Sequence, residues 1–152
     1  MVWHLAYFQN LNFAAPVYGV LFILQALLFL WIGVYRQRIG IRFDGTPAHW
    51  LGVTIMALAL AVLPLIDWIG GMSWTETRIP LIAPGTTAAL SVGVLLLSAD
   101  RARYILLALP LLWLAATGLH AWILNIPQDY ALGAAAVIAA IACVVPSLKK
   151  HR

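Results

Sequence analysis

A single cysteine, Cys143, is all the thiol chemistry available in 152 residues. One cysteine forms no intrachain disulfide, and it excludes a Cys-x-x-Cys carrier of metal or mercury. Charge is nearly as scarce: Asp, Glu, Lys and Arg together make up 9% of the chain, against roughly a quarter in soluble domains. Hydrophobic residues reach 64% and the mean hydropathy is +0.95. No soluble fold has enough polar surface to cover that much apolar side chain, so the expected solvent is lipid. The length allows one domain, with no room for a separate soluble module. Three further absences bear on chemistry: a nucleophile paired with a base, a phosphate-cradling loop, and metal ligands at a recognisable spacing. Catalysis and a bound cofactor are therefore not expected. No ionisable side chain falls in the middle of an apolar run, which weakens ion-coupled transport, since intramembrane charge is its usual mark.

What the chain does have is long apolar runs. Residues 13–35, FAAPVYGVLFILQALLFLWIGVY, carry no charge and stop at Arg36, Gln37 and Arg38. A helix rising about 1.5 Å per residue crosses a hydrocarbon layer of about 30 Å in that length. Further runs at 50–70, 81–98, 104–124 and 131–146 predict an all-α polytopic membrane bundle of about five helices. Basic residues in short loops stay on the cytoplasmic side. Arg36, Arg38, Arg42, Arg101, Arg103, Lys149, Lys150 and Arg152 fall together if the N-terminus is outside and the C-terminus cytoplasmic; Arg78 alone lies opposite. This arrangement puts Trp3, Trp68, Trp74 and Trp122 at the outer interface and Trp31 and Trp50 at the inner one. The net charge of +4 is thereby read as topology anchors near anionic headgroups, and no nucleic-acid partner is expected. No basic residue precedes the first run, which is too long for a secretory signal, so no cleavage is expected.

Details within the runs predict how they meet. Gln25 is costly against lipid and is expected to hydrogen-bond another helix. Between the first two runs, Asp44-Gly45 and Thr46-Pro47 read as turns, and the alternation of Ile39, Ile41 and Phe43 reads as a short extended piece. Pro64 predicts a kink, and Asp67 lies close enough to its helix end to reach water. Pro80 and Pro84 make the third run irregular at its start, with a short helix beginning at Pro84 or Gly85. Small residues four apart let helix backbones approach closely in lipid. Ala131, Ala135, Ala139 and Cys143 form one such face, and Gly85, Ala89 and Gly93 another, so the third and fifth helices are expected at the centre. The first run is large all round, the profile of a helix facing lipid or a greasy partner.

Two polar groupings are candidate sites. His4, Asp67 and His120, with Asn12, Glu76, Asn125 and Asp129, gather in the outer half, where imidazole and carboxylate together suit a metal or a polar head. No spacing supports that, and contact with water or headgroups is the plainer reading. The stretch Pro84, Gly85, Thr86 and Thr87 resembles a discontinuous helix whose N–H groups and hydroxyls bind an anion or polar solute. The plainer reading there is a helix cap and start.

Four stretches carry a family resemblance: NFAAPVYGVLFILQALLFLWIGV at 12–34, ALAVLPLIDWIGG at 59–71, PLIAPGTTAALSVGVLLL at 80–97 and LALPLLWLAATG at 107–118. They resemble a bacterial family of multi-pass membrane proteins of unknown function. The resemblance implies about two further helices ahead of this point in relatives, making this chain look shortened at the N-terminus. It also implies a cysteine where Ala83 stands here, so a thiol is missing beside the Pro84–Thr87 turn.

The expected function is a non-catalytic accessory or scaffold subunit of the bacterial inner membrane, surrounded by lipid and packed against other membrane subunits. A small transporter or channel for a polar or neutral solute is the alternative, and a metal or cofactor binder at the outer face the third reading.

Overall fold

The computed structural model describes residues 15–73, 77–80, 83–124 and 130–149. They form five helices and no strand. Helix α1 spans residues 15–35, as Ala15–Leu28 followed by wider turns over Phe29–Tyr35. Helix α2 is Pro47–Ile69, α3 is Pro84–Leu96, α4 is Arg103–Leu124 and α5 is Tyr130–Lys149. Two stretches, Pro47–Ile69 with 23 residues and Arg103–Ile123 with 21, are long and apolar enough to cross a bilayer. The apolar parts of the other three helices are shorter, at 10–17 residues.

Each helix end has a local cause. Helix α2 starts three residues before the expected position 50, inside what reads as a loop. The Thr46 side chain accepts the His49 N–H at 3.3 Å, and Pro47 occupies the first turn, where its missing N–H costs nothing. Thr-Pro is here a cap and helix start rather than a turn. The ring of Pro64 presses on the preceding turn and removes a hydrogen bond; wide turns over Leu58–Val62 lie directly before it. The chain leaves α2 through Gly70 and through Gly71, whose φ of +84° suits glycine.

Between α1 and α2 the expected extended piece is reduced to a single antiparallel bridge, Ile41 to Ser98. The Arg42 N–H donates to the Leu97 carbonyl at 3.1 Å. This folds the arginine-rich loop onto the end of α3, beside the turn that leads into α4.

Helix α3 is the centre: none of its residues is exposed. Thr86, Ala88, Ala89, Val92, Gly93, Leu95 and Leu96 are buried, between α2 on one side and α4 on the other. Small residues set the spacing. A Cβ at Gly52 of α2 would lie 2.7 Å from the Gly93 carbonyl oxygen, so nothing larger than glycine fits. A second close approach joins α4 and α5, where a Cβ on Gly118 would lie 2.6 Å from the Gly133 Cα. Ala135, Ala139 and Cys143 are buried on the same face of α5, with Ala131 half-buried. Helix α5 is not central, however. It packs chiefly on α4 and leaves Val137, Ile138 and Ile141 exposed.

An apolar cavity under the first helix

Helix α1 rests principally on α4, and the way the two are joined creates a cavity. Pro110 lies inside α4 and has no N–H for the carbonyl of Leu106, one turn earlier. Gln25 supplies the donor: its Nε2 lies 3.1 Å from the Leu106 oxygen. The expectation that Gln25 reaches another helix is met, and the reason is a specific orphaned carbonyl. Because a carbonyl only accepts, the amide nitrogen must face it, which fixes the side-chain orientation. The Gln25 Oε1 is then left buried with no hydrogen-bond partner, on a side chain only 8% exposed. A second contact, Phe22 against the Trp113 ring at 5.0 Å between centroids, lies on the same side.

Around these contacts α1, α3 and α4 enclose about 700 Å³. The walls are mostly apolar, with Leu21, Phe29, Leu109 and Leu112 among them. Gln25, Thr87 and Ser91 add polar atoms. The Ser91 hydroxyl donates to the Thr87 carbonyl at 3.0 Å, and that of Thr87 to the Ala83 carbonyl at 2.6 Å. With its proton committed, the Ser91 oxygen offers lone pairs only. Chemically the cavity suits an apolar body, with few polar groups in its wall to orient it.

The predicted site residues are dispersed. Pro84, Gly85, Thr86 and Thr87 form the first turn of α3. The Thr86 hydroxyl also donates to the Ala83 carbonyl, at 3.2 Å, and Thr86 is buried. A Cβ on Gly85 would meet Leu132 of α5 at 3.0 Å. The turn is thus closed by neighbouring helices, and only Thr87 reaches the cavity.

Asp67 does not reach water. It is 2% exposed and gripped by Arg78. The Arg78 backbone N–H donates to Oδ2 at 2.9 Å, Nε donates to Oδ2 at 2.8 Å, and Nη2 donates to Oδ1. A buried carboxylate at a helix end needs such a partner, and the guanidinium arrives from the loop eleven residues on. His120 is exposed and its Nδ1 lies 2.8 Å from the Ala116 carbonyl of its own helix. No hydrogen bond or ion pair among the described residues joins it to Asp67, whose oxygens are taken by Arg78. His4, Asn12, Glu76, Asn125 and Asp129 lie outside the described residues. Among the described residues no three His, Cys, Asp or Glu side chains come together to hold a metal.

Sequence reasoning located Gln25 but not what stands opposite it. The signal was present: a proline inside a helix announces a carbonyl in need of a donor, and Gln25 is the one strongly polar residue within the first run.

The fold defines an all-helical protein with a buried central helix and a lateral apolar cavity. The chain belongs to the family of unknown function DUF6064, whose model matches residues 1–152. No curated protein and no solved structure matches it.

Proposed function

We propose that this is a bacterial inner-membrane protein, threaded five times with the N-terminus outside and the C-terminus cytoplasmic. In this reading it acts without catalysis as an accessory or scaffold subunit of a larger membrane assembly. Exposed apolar side chains on α1, α2, α4 and α5 support a lipid solvent. A helix as short as α3 is compatible with it, because none of its residues is exposed and it need not match the bilayer alone. Arg36, Arg38 and Arg101 line one cleft, the clustering that a cytoplasmic face requires.

The observation that carries the subunit reading is the seat of α1. Val20, Ile23, Leu24 and Leu27 are all about half exposed or more, while the face with Leu21, Phe22 and Gln25 borders a cavity and the helix meets the core through Leu28, Phe29 and Ile32. A partner helix lying along α1 would cover that row. Extraction of the tagged protein from its native membrane in a gentle detergent, followed by native mass determination, tests this. Stoichiometric recovery with other membrane subunits is expected; a bare monomer or homo-oligomer contradicts it.

A second reading, passage or binding of a small neutral solute, is favoured by the cavity of about 700 Å³ itself, with Gln25, Thr87 and Ser91 in its wall. Uptake into liposomes that disappears in Gln25→Leu, with the native mass unchanged, selects this reading over the first.

A further inference from the structure

At the end of the molecule where α1 stops, the chain builds a second cleft, of about 390 Å³. Its walls come from residues some sixty positions apart: Arg36 and Arg38 after α1, and Asp100 and Arg101 in the turn before α4. Ile32 and Ile105 form its apolar side. Three arginines and one aspartate among the residues of its wall leave an excess of two positive charges.

The arginines are held in place through their backbones. The Arg36 N–H donates to the Trp31 carbonyl at 2.9 Å and the Arg38 N–H to the Ile32 carbonyl at 3.0 Å. Between them Gln37 takes φ +47°, a left-handed turn that L side chains adopt at a cost. Asp100 is occupied: its Oδ1 accepts the Ala102 N–H at 2.8 Å, capping the turn into α4. Two ion pairs elsewhere use Arg42 with Asp44 and Arg78 with Asp67. Arg36, Arg38 and Arg101 make no ion pair among the described residues.

We propose that this cleft binds a phosphate-bearing anion, and that the source is the headgroup of an anionic phospholipid. Guanidinium forks match phosphate oxygens two at a time, and a basic cleft between helices at a membrane face is suited to lipid headgroups. The apolar side decides the source. Ile32 and Ile105 continue from the cleft along α1 and α4, where an acyl chain would lie. A free nucleotide would instead need an aromatic face, and the Trp31 ring is already stacked on Tyr35 at 4.9 Å with Arg36 over it. The lipid source rests on the membrane placement proposed above; the arginine site does not.

The test uses the full chain in two arms. In the first, the protein is placed in nanodiscs of phosphatidylcholine doped with phosphatidylglycerol, and lipid retained after release into detergent is read by native mass spectrometry. One phosphatidylglycerol per chain is expected. The triple variant R36Q/R38Q/R101Q should lose it by on the order of a hundredfold, and Arg42→Gln, outside the cleft, should not. Each single Arg→Gln variant should lose part of the retention, which keeps the test decisive if the triple variant misfolds. In the second arm, pyrophosphate binding is measured by calorimetry in detergent solution without anionic lipid. Weak, arginine-dependent binding that phosphatidylglycerol abolishes supports the proposal. Pyrophosphate binding that phosphatidylglycerol does not displace overturns the lipid source. Equal lipid retention by wild type and the triple variant overturns the site itself. A chain that fails to enter nanodiscs contradicts the membrane placement and the lipid source together, while the pyrophosphate arm still reads the arginines. Neither arm depends on a partner subunit, so failure of the assembly reading remains distinguishable.

Discussion

Helices α1 and α3 are both apolar, and they sit in the molecule in opposite ways. Helix α3 carries Gly85, Thr86, Thr87, Ala88, Ala89, Ser91 and Gly93 in thirteen residues, and nothing on it is exposed. Helix α1 carries Leu, Phe, Ile and Trp around most of its circumference and touches α4 across a cavity. Hydrophobicity therefore does not decide what is buried here. Side-chain size contributes: small residues on α3 allow close backbone approach, as at Gly52 and Gly93, and buried leucines fill the space between the helices. A helix of large residues keeps its contacts available for something else.

The largest effect expected is on the core side of this comparison. Replacing Asp67 by Ala leaves the Arg78 guanidinium without its buried carboxylate, and losing one partner of such a pair costs about 3–5 kcal/mol. Thermal unfolding in detergent should show a large fall in midpoint or no folded protein. Next is Gly118→Ala, where the new methyl meets the Gly133 backbone and neither can move aside. Overpacking of this kind costs about 1–3 kcal/mol, read by the same measurement, and should loosen α5 from α4. Gln25→Leu is smaller still. Interhelical hydrogen bonds in membranes average about 0.6 kcal/mol and reach about 1.7 kcal/mol. The core should survive while exchange of the α1 amides with solvent deuterium accelerates. Smallest is Leu27→Ala, with an effect on folding within about 0.5 kcal/mol but a lower yield of partner subunits in native extraction. If Leu27→Ala unfolds the protein as readily as Gly118→Ala, the contrast between α1 and the core is wrong.

Much of this contrast can be read from residue size alone. Gly85, Ala89 and Gly93 mark the enclosed helix, and the bulk of the first run marks the exposed one. The role of Gln25 is visible as the one strongly polar residue of an apolar run, which needs a hydrogen-bond partner once buried. The pairings are less legible. Gly52 with Gly93 and Gly118 with Gly133 meet across helices, and no local pattern says which small residue faces which. Asp67 reads as a helix-end carboxylate near water because its partner, Arg78, belongs to a loop whose path depends on the whole fold. Thr46-Pro47 illustrates a different failure: the pair is compatible with a turn and with a helix start, and His49 decides by donating its N–H to the threonine. The placement of α5 at the edge follows from the Gly118–Gly133 contact, which binds it to α4 ahead of α3.

The most direct test of the account compares two exposed apolar faces of the same chain. A photo-crosslinking residue is placed in the native membrane at Leu27 on α1 or at Ile138 on α5, and the adducts are weighed after irradiation. One protein adduct of defined mass is expected from Leu27, in high yield, and lipid adducts alone from Ile138. Lipid adducts from both positions, or the same protein adduct from both, would contradict the claim that α1 is the face held open for a partner.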